Sequence, residues 1–188
     1  MPAFDVVDLI MTDHREVERL FEIMTKQPET RVLHFPVLSA LLICHSRAEE
    51  AEVYPIARDE AGETDEVAHS QQEHAEAESM LEQMASMDPT SQEFEKALQE
   101  LIGAVTHHVE EEESTVLPGM RRGLSDQRRT ELADAFATAR AAHLGDRPGE
   151  ATKRELQQQA QNAGLGVASG STKEEIRSTL QEEAKKSS

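Results

Sequence analysis

His45-Ser-Arg-Ala-Glu49-Glu50-Ala-Glu-Val53-Tyr54-Pro55 returns later in this chain as His108-Val-Glu-Glu-Glu112-Glu113-Ser-Thr-Val116-Leu117-Pro118. Both copies place an imidazole and a carboxylate four residues apart, just before a proline. A second echo precedes each copy: Asp13-His14-Arg-Glu16-Val-Glu18 matches Glu73-His74-Ala-Glu76-Ala-Glu78, so the whole unit occurs twice about sixty residues apart. A repeated two-helix hairpin with metal-type ligands at equivalent points can close into a four-helix bundle around a two-metal centre. The pattern therefore predicts an all-α, up-down-up-down four-helix bundle, extended by a fifth helix and a short helical C-terminal module.

Periodicity and punctuation place the helices. The first runs from about Asp5 to Gln27, before Pro28. The second starts near Thr30 or at Pro36 and ends before Pro55. The third covers roughly Thr64 to Met87. The fourth opens on Thr90-Ser-Gln-Glu93, a capping-box pattern, and closes before Pro118-Gly119. The fifth, about Ser125 to Leu144, carries the stripe Leu132, Phe136, Ala139 and His143, suited to packing on the bundle or a partner. Gly145-Asp-Arg-Pro-Gly149 interrupts the pattern, so the bundle is expected over residues 1–145, a linker over 146–151 and a tail over 152–188. A core without Trp, with one Tyr and five Phe, suits Leu, Met, Val and Ala packing between helices.

The stripes decide which way the histidines face. Phe94, Leu98, Leu101, Val105, His108 and Glu112 form one heptad-like stripe on the fourth helix. Leu38, Leu41 or Leu42, His45 and Glu49 form another on the second. Val7, Ile10, His14, Val17 and Phe21 mark the first helix, and Val67, His74, Ala77, Leu81 and Met84 the third. An isolated His-x-x-x-Glu carries little information here, because 28 of the 188 residues are Glu. Six of the eight histidines (His14, His45, His69, His74, His107 and His108) have Glu at i+4. Helical i,i+4 pairing on a solvated face explains some of these. His69 and His107 fall off the stripes and are expected at the surface; His34 and His143 lack the i+4 carboxylate and read as structural. The four stripe histidines are different. Buried polar groups without partners cost about 1–3 kcal/mol each, and cations would turn that penalty into ligation. Imidazole with carboxylate suits iron, manganese or zinc better than copper(I).

Charge restricts the partners. Residues 1–150 carry 13 Lys and Arg against 32 Asp and Glu, whereas 151–188 carry 6 against 5. So acidic a body repels phosphate backbones, and nucleic-acid binding by the bundle is not expected. The single Cys44 gives no internal disulfide and reads as a small core hydrophobe. The N-terminal residues lack a basic, then apolar, leader pattern and the longest apolar run is far too short for a bilayer, so a soluble cytoplasmic protein with no membrane contact is expected.

The set His14, His45-x-x-x-Glu49, His74 and His108-x-x-x-Glu112, with Glu-Glu-x-x-Val-[Tyr/Leu]-Pro after each pair, resembles the hemerythrin-like (HHE cation-binding) domain over residues 5–120 or somewhat more. That resemblance implies a non-haem di-iron centre, oxo- or hydroxo-bridged, with manganese or zinc as alternatives. The metal ligands would be His14, His45, Glu49, His74, His108 and Glu112, the two glutamates bridging. Members bind O2, sense oxygen or redox state, store iron, or handle peroxide and nitric oxide. Respiratory members add a second histidine one turn from the first on the third helix, where Ser70 and Glu78 stand here. Tyr54 or a carboxylate, Glu18 and Glu78 among them, is left as a further ligand or outer support. An oxygen-richer ligand set favours ferric iron, hence redox or peroxide chemistry over reversible O2 carriage. The implied roles are oxygen or redox sensing, oxidative-stress handling with a catalase-like activity, or iron handling and regulation through the tail without turnover. The tail, with capping boxes at Thr152–Glu155 and Thr172–Glu175, resembles the helix–loop–helix of Rho-factor N-terminal and SAP-like modules, and would bind a protein or nucleic acid.

Overall fold

The computed structural model describes residues 4–187. Helix α1 (Val6–Lys26) begins where Asp5 accepts a hydrogen bond from the Val7 amide, which satisfies an amide that the first turn leaves free. It is followed by α2 (Arg31–Ala48), a π-helical turn (Glu49–Val53) and α3 (Tyr54–Glu60). Helix α4 (Thr64–Met84) pairs with α5 (Gln92–Ser114), which resumes after Thr115 as α6 (Val116–Gly123). These segments form the up-down-up-down bundle. Helix α7 (Asp126–Ala142) lies along α1 and α2, while α8 (Lys153–Asn162) and α9 (Lys173–Ser187) pair with each other and return onto the bundle, α9 against α4.

The second and fourth bundle helices end before Pro55 and Pro118 as expected, at Ala48 and Ser114, but further helix follows at once, and each proline lies inside a short helix, α3 or α6, that the sequence reading did not include. A proline ring clashes with the carbonyl four residues earlier and donates no hydrogen bond. Those carbonyls belong to Ala51, inside the π turn, and Ser114, the last residue of α5. The helices therefore widen or break there, then resume. In the π turn the Tyr54 amide bonds back to the Glu49 carbonyl, five residues earlier. The cap of α5 is also displaced, to Ser91, whose hydroxyl accepts from the Phe94 amide at 3.0 Å. Asp88 occupies Thr90 instead, accepting from both its amide and its hydroxyl.

The core is divided along the bundle axis. One apolar cluster gathers Phe21, Phe35, Leu38, Leu81, Phe94 and Leu98, with the Phe35 and Phe94 rings edge-to-face at 5.1 Å. The other gathers Ile10, Tyr54, Val67, Val116, Leu117 and Phe136. The stripe histidines lie between the two on every bundle helix, so a polar layer crosses an otherwise apolar interior. Cys44 is buried, as expected. The tail has its own small core of Leu156, Ala160, Ile176 and Leu180, and both expected capping boxes are formed. Among the described residues no helix is long and apolar enough to cross a membrane.

The ends of the two hairpins meet closely. A Cβ added at Gly123 would stand 2.9 Å from the Ala61 Cα. Backbone cannot swing aside as a side-chain tip can, so Gly123→Ala is expected to destabilise the protein by about 1–3 kcal/mol. Urea denaturation checks this; an unchanged midpoint would show that the two ends can separate at little cost.

Candidate metal centre

Four imidazoles converge on the polar layer, one from each of α1, α2, α4 and α5. His45 Nε2 lies 3.1 Å from Glu49 Oε2, and His74 Nε2 lies 3.4 Å from that same oxygen. The Nε2 atoms of His74 and His108 are 3.1 Å apart. His14 Nε2 faces Glu112 Oε2 at 3.3 Å. Donor atoms bound to one ion through bonds of about 2.1 Å sit roughly 3.0–3.4 Å from one another, the spacing found here. Two groups of donors close enough to share an ion emerge, His14–His45–Glu49 and Glu49–His74–His108, with Glu49 common to both.

The inner atoms are poorly served by protein partners. His14 Nε2, His45 Nε2, both Glu49 carboxylate oxygens and Glu112 Oε2 are buried without a hydrogen bond. Glu49 and Glu112 are fully buried. Groups so placed are seldom left unsatisfied, because the desolvation cost is not returned. A cation would supply what the side chains lack, and the donor set, imidazole with carboxylate, fits a first-row transition ion.

The outer ring nitrogens are held in place by acids. His45 Nδ1 donates to Asp13 at 3.1 Å, His14 Nδ1 to Glu113 at 2.9 Å, and His108 Nδ1 to Glu73 at 2.9 Å. His74 Nδ1 approaches Glu50 at 3.4 Å. Carboxylates behind imidazoles aim Nε2 inward and increase its basicity. The repeat explains the set: Asp13 and Glu73 immediately precede His14 and His74, and Glu50 and Glu113 immediately follow Glu49 and Glu112. Each neighbour of a ligand in sequence thus supports a histidine on another helix.

A further layer supports these acids. Arg140 of α7 grips Asp13 with two bonds, at 2.6 and 2.9 Å, and Phe136 meets the His45 ring edge-on at 5.8 Å. Glu50 receives Gln71 at 2.9 Å, Arg47 at 3.2 Å and Gln159 of α8 at 2.8 Å. Asn162 donates to both the Glu50 carbonyl and the Gln71 side chain. The sequence carried no signal for Arg140, Gln159 or Asn162. The acid–His and Glu–Glu doublets were a signal for the inner four acids, visible in the repeat itself.

The other candidates fall in distinct places. Tyr54 is fully buried, and its hydroxyl lies 3.1 Å from His74 Nε2 while donating to Glu112 at 3.2 Å. In an unbroken α-helix, Tyr54 would point about 140° away from Glu49; the π turn brings it inward. Glu78 is not brought to the inner donors. It accepts from Arg47 at 2.7 Å and from the Gly149 amide at 2.8 Å, beneath the tail. Glu18 stays at the surface in an ion pair with Arg15. The His143 ring binds Asp146, and His34 bonds its own helix.

Electrostatics favour added positive charge. Burial raises the Glu112 carboxyl, but His14 and the charges of His108 and His45 outweigh it and hold the group at about 2. Burial likewise opposes ionisation of Glu50, and His74, Arg47 and Gln159 hold it at about 2. Against the burial that lowers them, Glu49 and Asp13 push His45 well above its ordinary value, and Glu73 and Glu112 push His108 up. Burial and the surrounding carboxylates drive the Tyr54 phenol upward, so it keeps its proton.

Fold and layer together define a helical-bundle cation-binding protein with a histidine–carboxylate centre. The sequence model of the hemerythrin HHE cation binding domain matches residues 5–119, and the chain belongs to that family. It is therefore a metal-binding domain. A DNA nickase of Nostoc sp. (strain PCC 7120 / SAG 25.82 / UTEX 2576) is 30% identical over 150 residues, which cover 79% of this chain and 42% of the relative. The chain thus spans less than half of that relative's length. No solved structure matches.

Proposed function

We propose that this protein holds two iron ions, one at His14 and His45 and the other at His74 and His108, with Glu49 and Glu112 shared, and that it reacts with O2 or peroxide. The observation that carries this reading is the position of Glu49: it belongs to both donor groups, and neither of its oxygens has a hydrogen bond. When bound, a pair of irons would supply two electrons and an open position for a small ligand.

The chain's own residues do the rest. A cavity of about 30 Å³ adjoins the histidines, walled by Val17, Leu42, Ile43, Leu81 and Val105. That is room for a ligand the size of O2, peroxide or nitric oxide, and its mainly apolar wall, interrupted by Ser46, Arg47, Glu73 and Glu78, disfavours bulk water. The Tyr54 hydroxyl holds a proton beside His74 Nε2, where it can donate to a bound ligand. Asp13, Glu50, Glu73 and Glu113 keep the four imidazoles oriented through any change of charge. Four carboxylate oxygens, those of Glu49 and Glu112, lie among the four imidazoles, an anionic set that favours ferric iron and redox or peroxide chemistry over reversible O2 carriage. Disproportionation of peroxide, in which one molecule is oxidised to O2 and another reduced to water, needs no outside reductant.

A regulatory reading, without turnover, is favoured by one contact: Gln159 of the tail binds the acid behind His74. The acidic body argues against DNA nicking, the activity in the relative's name: residues 1–150 carry 13 Lys and Arg against 32 Asp and Glu and repel a duplex, so nicking of supercoiled plasmid should stay at background.

Metal analysis of anaerobically purified protein, with spectra before and after air, tests the proposal. About two irons per chain and a near-ultraviolet charge-transfer band growing on exposure to air are expected. Stoichiometric zinc with no such band overturns it. Steady O2 evolution from added peroxide separates an enzyme from a sensor or store.

A further inference from the structure

Outside the buried layer, His69 and Glu73 of α4 face His107 and Glu111 of α5 across the groove between those helices. Each pair is four residues apart, so its two members share one helical face. His69 Nε2 lies 2.9 Å from Glu111 Oε2 and 3.6 Å from Glu73 Oε1. His107 Nε2 lies 3.3 Å from Glu111 Oε1 and 3.8 Å from Glu73 Oε1. One donor atom from each of the four residues falls within 4.8 Å of the others. Donors on a tetrahedral ion with bonds of about 2.1 Å stand about 3.4 Å apart, and the four distances bracket that edge. Access is open: a surface cavity of about 300 Å³ adjoins the group, and a Cβ at Gly103 would meet nothing within 4 Å.

We propose that His69, Glu73, His107 and Glu111 form an outer, mononuclear site for a divalent first-row transition ion such as zinc(II) or iron(II). Two imidazoles and two carboxylates supply the usual four donors, and the nitrogen donors select against calcium and magnesium. Glu73 connects this site to the interior. Its Oε1 faces the outer histidines while its Oε2 accepts from His108 Nδ1 at 2.9 Å. An ion outside thus draws electron density from the carboxylate that supports His108, so occupancy of the outer site adjusts a ligand of the buried centre. The outer site rests on its own four side chains, whichever ions fill the interior.

Cobalt(II) is the probe, because its visible bands report coordination. Full-length protein with its interior already loaded is titrated, and metals are counted by elemental analysis. The wild type should take up one further equivalent with the intense bands of four-coordinate cobalt. H69A/H107A should take up none, with interior metal content equal to wild type. Both histidines are at least a third exposed, so their removal leaves the core alone. Glu111→Gln, which keeps the size and loses the charge, should weaken cobalt binding at least tenfold. The same extra equivalent in H69A/H107A, or none in the wild type, overturns the assignment.

Discussion

Glu49→Gln is expected to remove most of the stabilisation that metal gives this protein. In the wild type, ions bind only the folded chain, since the donors come from four separate helices. At a free-ion concentration about a thousand times Kd that linkage is worth about 4 kcal/mol. For a chain of this length each kcal/mol moves Tm by about 2–4 °C, so a strong chelator should lower the wild-type Tm by about 10 °C. Glu49 is shared by both donor groups, and its loss removes one negative ligand from each. Changes to supporting residues alone cost 10–100-fold in metal affinity; loss of a shared carboxylate should cost at least a hundredfold. At the same free-ion concentration the linkage in Glu49→Gln then falls to about 1.4 kcal/mol or less, so the chelated and metal-supplemented variant should melt within about 5 °C of each other. A wild type indifferent to chelator, or a variant that still responds fully, would sink the assignment of Glu49 as the shared ligand.

The second large effect lies where the tail meets the bundle. Gln159 donates to the Glu50 carboxylate, and Asn162 to the Glu50 carbonyl and Gln71. All four residues are buried, so water cannot easily replace a lost donor. The double variant Gln159→Leu, Asn162→Leu keeps the apolar packing of α8, takes one of three donors from the Glu50 carboxylate and deprives the Glu50 carbonyl and the Gln71 side-chain oxygen of Asn162. A cost of about 3–5 kcal/mol is expected, read by urea denaturation. Because Glu50 stands behind His74, metal affinity should also fall about tenfold or more. Binding linkage is reciprocal, so stripping metal from the wild type should loosen the tail, measured as faster proteolysis near residues 145–151. Undiminished metal affinity in the double variant would leave the tail a passive cover and remove the structural support for a sensor.

Both expectations separate what is legible along the chain from what is not. The bundle helices and the inward direction of His14, His45, Glu49, His74, His108 and Glu112 were readable, because helical periodicity is local and the hydrophobic stripe is continuous with the ligands. The short helices that carry the chain on through Pro55 and Pro118 were not. A proline forbids one backbone hydrogen bond, but packing on both sides decides whether the chain stops or bends, and here Tyr54, Ala57, Leu117 and Met120 beyond them are buried in the core. That continuation placed Tyr54 in the centre. The i+4 rule, taken alone, treated Glu18 and Glu78 like Glu49; tertiary packing put one at the surface and the other under the tail.

By itself the sequence determined that four histidines and two glutamates would share one level of a helical bundle, since those positions repeat with the stripes. Tertiary structure decided which acid stands behind which histidine. A residue beside a ligand in sequence points about 100° around the helix, toward a neighbour whose identity depends on how the helices pack. So Asp13 serves His45, Glu73 serves His108, Glu113 serves His14 and Glu50 lies behind His74. Arg140 and Gln159, more than eighty residues away from the acids they hold, arrive only through folding.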